Sequence, residues 1–152
     1  MWRVFLDANI LFSASYLENS GLRRLWELED VALVTSSYAI QEARRNITAT
    51  QQIADMTRLL SQVETVEITD EAPNLFREAH GLPDEDQPIL WAAIDCGATH
   101  LITGDLQHFG KLMDTDIEGV RLSGQAILFG CAKLAVNPVP QTDPLPSGRN
   151  GT

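Results

Sequence analysis

Short apolar runs alternate with longer amphipathic stretches along the chain. WRVFL (2–6) and VALVT (31–35) are compact runs of strand-forming residues, and VETVEI (63–68) alternates as a third strand would. Between the first two, SGLRRLWELE (20–29) carries Leu22, Leu25, Trp26 and Leu28 at helical spacing. Ser36 and Ser37 are cap candidates for a helix running to about Arg45. A further helix is predicted over 50–62, with Ile53, Met56, Leu59 and Leu60 on one face. DEAPNLFREAHG (70–81) reads as a helix closed by Gly81. LPDEDQPILWAAIDCG (82–97) reads as another, with a proline in or near its first turn and Gly97 at its end. THLIT (99–103) is a fourth strand and GVRL (119–122) a short fifth, followed by a helix from Ser123 to about Leu134.

Strands alternating with helices imply an α/β fold in three layers, a mostly parallel five-stranded sheet covered on both faces. The expected organisation is one domain over 1–136. The stretch NPVPQTDPLPSGRNGT (137–152) has four prolines and no apolar periodicity, which predicts a disordered tail.

The chain's 152 residues suit one core, and 44% hydrophobic with 21% charged residues is ordinary for a globular protein. No apolar run approaches the roughly 20 residues that span a bilayer. Asp7 interrupts the N-terminal apolar stretch and no small-residue cleavage site follows, so no signal peptide and no membrane association are expected. Cys96 and Cys131 give neither a metal spacing nor a disulfide framework. A cytoplasmic protein with reduced thiols is the expectation. The net charge of −10 opposes broad attraction to nucleic acid, unless acids gathered at one site are offset by bound cations. Nine of the eleven basic residues are Arg, including the pairs Arg23-Arg24 and Arg44-Arg45. Arg favours bidentate phosphate contacts, although such pairs on helices more often form a solvated face.

In a parallel α/β sheet, ligands bind beyond the C-terminal ends of the strands. Asp7 follows the first strand, Glu42 lies in the helix after the second, Asp84 and Asp86 open the helix before the fourth, and Asp105 follows that strand in ITGD. Each acid has a plainer use: a local turn for Asp7, solvent for Glu42, helix capping for Asp84 or Asp86, a turn or cap for Asp105. Their conjunction at strand ends favours a shared site. Carboxylates so gathered raise one another's pKa, and a hard divalent cation relieves that repulsion. Oxygen ligands without a His or Cys cluster point to Mg²⁺ or Mn²⁺ rather than Zn²⁺, and so to phosphoester hydrolysis.

FLDANILFSA (5–14), TSSYAIQEARRN with Glu42, and DEDQPILWAAIDCGATHLITGDLQHF (84–109) together resemble the PIN-domain nucleases, which include the VapC-type toxins of bacterial toxin–antitoxin pairs. The resemblance spans about residues 2–130. It implies the sheet order 3-2-1-4-5, metal-dependent hydrolysis of RNA, and Asp7, Glu42, Asp86 and Asp105 as the metal-binding acids. Asp86 takes the acid-x-Pro position, leaving Asp84 to cap. Asn9, Ser13 and Thr103 would support the site or contact phosphate. Some members carry another acid just past the TGD; Leu106, Gln107 and His108 stand there instead, which counts against a full second metal site. His108 is then either a substrate contact or structural, the latter being commoner, and His80 and His100 receive no role. An antitoxin and a homodimer are the protein partners the resemblance implies. The apolar helices at 22–28 and 50–60 offer candidate faces for a dimer, although core burial is their first use.

Two other readings compete. Haloacid-dehalogenase-type phosphatases also begin with an Asp after the first strand but need a second Asp two residues on, where this chain has Asn9, which transfers no proton. A non-catalytic PIN-like module that acts through an RNA or protein partner would fit the acidic charge and the changed residues after Asp105.

Overall fold

A computed structural model describes residues 1–16, 20–68 and 80–124. Six strands form one sheet: β1 (Trp2–Leu6), β2 (Val31–Ser36), β3 (Glu64–Val66), β4 (His100–Ile102), β5 (Asp116–Ile117) and β6 (Val120–Ser123), in the order β3-β2-β1-β4-β6-β5. All neighbours are parallel except β5 and β6. Helices lie on both sides. They are α1 (Ala8–Tyr16), α2 (Ser37–Arg44), α3 (Thr50–Leu60), α4 (Gln87–Asp95) and the single turn α5 (Leu106–Phe109).

The α/β class agrees with the sequence pattern, and the order of the first four strands agrees with what the resemblance implies. The expected fifth strand at 119–122 is β6, and it pairs with β4 as expected. The sheet has six strands because Asp116–Ile117 folds back on β6, with Ile117 opposite Val120. Glu118 (φ 48°) and Gly119 (φ 91°) make the two-residue turn between them, the left-handed pair that matches strand twist in a hairpin.

Local chemistry explains most element boundaries. Ser36 Oγ accepts from Ala39 N at 3.1 Å and caps α2. Pro88 sits in the first turn of α4, where its missing N–H costs nothing, and Gly97 (φ 75°) follows the helix end. Asp84 does not serve as the cap expected of it: the N-cap position of α4 is Asp86, whose side chain makes no capping bond. The segment expected to be helical over 20–29 is a 3-10 helix, Gly21–Glu27, and Leu28 is already extended. Along α3 the expected apolar face is rotated: Ile53 is 50% exposed while Asp55 is 3% exposed. Asp55 is buried because its oxygens accept from Arg23 (3.1 Å), Gln51 (2.9 Å) and Arg58 (2.9 Å).

The core is continuous across the sheet. Val4, Phe5 and Leu6 of β1 pack with Val34, Leu101, Ile102 and Leu122 from the neighbouring strands, all essentially without solvent exposure. Burying each such side chain contributes roughly 2 kcal/mol of apolar transfer. No helix among the described residues is long and apolar enough to cross a membrane. Residues 70–79 of the helix expected over 70–81, residues 125–134 of the one expected from Ser123 (which is the last residue of β6), Cys131 and the tail at 137–152 lie outside the described residues.

Candidate metal centre

The site forms where β1 and β4, adjacent and parallel, end together. Leu6 pairs with Ile102, and Asp7 N continues the ladder to Ile102 O at 3.1 Å. Asp7 is thereby fixed at the lip of the sheet, 5% exposed, and α1 begins immediately after it. One carboxylate oxygen, Oδ1, accepts from Ala8 N at 2.6 Å. The other, Oδ2, accepts from Thr103 Oγ1 at 2.7 Å and more weakly from Asn9 Nδ2 at 3.3 Å.

Thr103 is wholly buried, and its hydroxyl also accepts from Asp105 N at 3.0 Å. One side chain thus ties the acid after β1 to the acid after β4. Asn9 adds a second tie, its Oδ1 accepting from Gly104 N at 2.7 Å. Asp105 caps α5 through its Oδ1, which accepts from His108 N at 3.0 Å. Asp86, at the start of α4, has no capping bond to make and is left to face the same space.

That space is a cavity of about 310 Å³ whose walls include Asp7, Asn9, Glu42, Glu85, Asp86, Asp105 and His108, with Phe12, Tyr38 and Ile89 as its less polar lining. Glu42 reaches it from the sixth position of α2 and pairs outward with Arg45 at 2.7 Å. The Tyr38 hydroxyl is occupied, donating to Glu85 O at 2.7 Å. Burial pushes its pKa up, and the charges of Glu42, Asp86 and Glu85 push it further.

Two solved structures share this arrangement of strands and helices. VapBC2 from Rickettsia felis, solved bound to a DNA fragment from their promoter, aligns with a TM-score of 0.62 at 18% identity, covering 80% of this chain and 98% of the matched chain. PAE2754 from Pyrobaculum aerophilum aligns with a TM-score of 0.54 at 19% identity, covering 86% and 90%. The likeness is one of fold, and the architecture is PIN-like. No family model matches the sequence, and no curated protein matches it.

On this PIN-like fold the four acids singled out in the sequence, Asp7, Glu42, Asp86 and Asp105, line one cavity, and Asn9 lines it with them. Thr103 stands behind the wall and acts through hydrogen bonds. Ser13 is half-buried on α1 and does not line the cavity, so the structure gives it no place at the site. Sequence reasoning passed over Glu85 and Tyr38 and favoured a structural role for His108. The available signal was the Asp105–His108 spacing, which puts both residues on one helical turn.

The residues fit a divalent cation. Desolvation raises the Asp7 pKa, against the hydrogen bonds from Thr103 and Ala8 and with the added repulsion of Asp105. Burial likewise pushes Asp86 up to about 6, opposed by His108 and reinforced by Asp105, Asp7 and Glu85. His108 Nδ1 lies 2.7 Å from Asp86 Oδ2 and 2.9 Å from Asp105 Oδ2. Despite these short separations, neither Nδ1 nor Asp86 Oδ2 has a partner aligned as a hydrogen bond, and both atoms are buried. Repelling carboxylates and two buried unpaired ligand atoms in one cavity are what a bound cation would resolve.

Proposed function

We propose that the protein is a metal-dependent endoribonuclease that hydrolyses RNA phosphodiester bonds, with Asp7, Glu42, Asp86 and Asp105 holding Mg²⁺ or Mn²⁺. The observation that carries this reading is the convergence of those four acids on one cavity of a PIN-like fold. Fold alone does not assign a reaction, so the weight rests on the side chains. A bound divalent cation would supply a polarised water and charge neutralisation for the phosphodiester.

The chain's own residues prepare that chemistry. Asp7 is oriented before any ligand arrives, because Ala8 N and Thr103 Oγ1 hold its two oxygens. Asp105 is held by the same threonine and by its bond from His108 N. Asp86 lines the cavity, and its Oδ2 is free of any aligned hydrogen bond. Glu42 completes the ring from α2. With a net charge of −10, the protein needs a cation at this ring before an RNA phosphate can approach.

The likeness to VapBC2 supports a toxin role with an antitoxin protein as partner, in the cytoplasm. Co-expression with a neighbouring small gene tests it: growth arrest by this chain alone, relieved by the neighbour, supports the role, and harmless expression of an active nuclease overturns it.

Incubation of the purified protein with structured RNAs and Mn²⁺ or Mg²⁺ tests the enzymatic reading. Cleavage that EDTA abolishes, metal restores, and Asp7→Asn and Asp105→Asn lose is the expected result. No cleavage across varied RNAs, or equal cleavage by the variants, overturns it in favour of a non-catalytic binding module.

A further inference from the structure

We infer that His108 is itself a metal ligand, through Nδ1, so that the centre is a mixed nitrogen–oxygen site that selects Mn²⁺ over Mg²⁺. The inference rests on the metal-dependent reading above and changes its ligand set. The sequence suggests an oxygen-only centre; the structure puts an imidazole nitrogen among the acids.

Three observations point the same way. Nδ1 of His108 stands 2.7 Å from Asp86 Oδ2 and 2.9 Å from Asp105 Oδ2. Ligands at right angles on an octahedral cation with bonds of about 2.1 Å are separated by roughly 3.0 Å, close to both distances. Next, neither Nδ1 nor Asp86 Oδ2 is aligned with a hydrogen-bond partner, although both are buried. An imidazole that merely braced the two acids would point its N–H along one oxygen lone pair, at this separation a strong bond. Finally, Glu85, Asp86 and His108 each offer a ligand atom within 4.8 Å of the others, the span of atoms gathered around one ion. Asp105 fixes the ring's position from the other side, because its Oδ1 accepts from the His108 backbone N–H.

The donor set decides the metal class. Mg²⁺ favours oxygen ligands and retains its waters, whereas an imidazole nitrogen adds affinity for first-row transition ions. One nitrogen among carboxylates suits Mn²⁺, which accepts both donor types in octahedral geometry. His108 adds a nitrogen to a ring of acids that already offers oxygen, so it sets which ion loads rather than whether one does.

Pulsed EPR on the full-length protein loaded with Mn²⁺ reads the inference directly. Wild type is expected to show nitrogen modulation from one directly bound imidazole, absent in His108→Ala and His108→Asp. The Mn²⁺ dissociation constant is expected to rise at least about tenfold in His108→Ala, with Mg²⁺ affinity changing far less. His108→Asp is expected to bind both ions with its preference for Mn²⁺ narrowed. Mn²⁺ bound without nitrogen modulation overturns the inference and leaves an all-oxygen metal site standing, and modulation that persists in His108→Ala overturns it by assigning the nitrogen to another group. Equal loss of both ions in His108→Ala also overturns it. A nitrogen-coordinated Mn²⁺ in a protein that cleaves no RNA would overturn the nuclease reading alone, and failure to bind Mn²⁺ at all would overturn both.

Discussion

The Thr103 hydroxyl donates to Asp7 Oδ2 at 2.7 Å across 96 residues of sequence. The same oxygen accepts from Asp105 N at 3.0 Å and from Asn9 Nδ2 at 3.3 Å, so a wholly buried threonine sets the spacing of two acids without touching the cavity.

Thr103→Val keeps the shape and removes that oxygen. Asp105 N and Asp7 Oδ2 each lose a buried partner, so we expect a loss of about 1–3 kcal/mol in urea unfolding. Metal affinity and RNA cleavage should fall together. Thr103→Ser, which restores the hydroxyl, should recover most of both.

Asp86→Asn should separate stability from function. The Asp86 carboxyl is raised to about 6, so its ionised form is disfavoured in the metal-free fold at neutral pH. We expect the variant to lose Mn²⁺ binding yet unfold at a higher temperature than metal-free wild type. A gain of about 1 kcal/mol corresponds to roughly 3 °C at this chain length.

Metal binding should weaken as pH falls through about 6, because protons then compete for Asp86. Below that value, Mn²⁺ affinity should drop about tenfold per pH unit for this one group. Mn²⁺ titrations at several pH values, read by the EPR signal of the free ion, measure it directly.

Metal-free stability should bend the other way. Between the ordinary carboxylate range and about pH 6 the folded state holds a proton at Asp86 that the unfolded state has lost, so acidification favours the fold there. Asp55 has the opposite sign. The hydrogen bonds from Arg23 and then Gln51 depress its pKa, so its contribution is full above the ordinary carboxylate range and is lost as pH falls below it. Urea midpoints should therefore rise on mild acidification and fall in stronger acid, with Asp86→Asn reducing the rise and leaving the part that comes from Asp7, whose pKa burial also raises.

Much of this was legible in the chain because it is written locally. Asp7, Glu42, Asp86 and Asp105 each stand at a fixed offset from a strand end or a helix start, and the α/β alternation brings such positions to one edge. What escaped depends on side-chain convergence. His108 reaches Asp86 only because α5 is a single turn hung on the Asp105 cap, a geometry that no apolar period encodes. Ser13, expected from the resemblance to support the first acid, does not line the cavity. The β5 strand is two residues long, too short to alternate, and its turn is Glu118-Gly119 rather than the usual Asn-Gly or Asp-Gly. On α3, the ion pair with Arg23 buries Asp55 and leaves Ile53 outside, reversing the apolar pattern.

The pairing of β1 with β4 also fixes when the centre can come into being. Asp7 is made nearly a hundred residues before its main-chain anchor at Ile102 and its hydroxyl donor Thr103. Contacts so distant in sequence close after the local ones. A chain halted on the ribosome before β4 has left the exit tunnel therefore carries the first acid but no assembled cation site. Whatever activity this protein has waits for β4 to dock against β1.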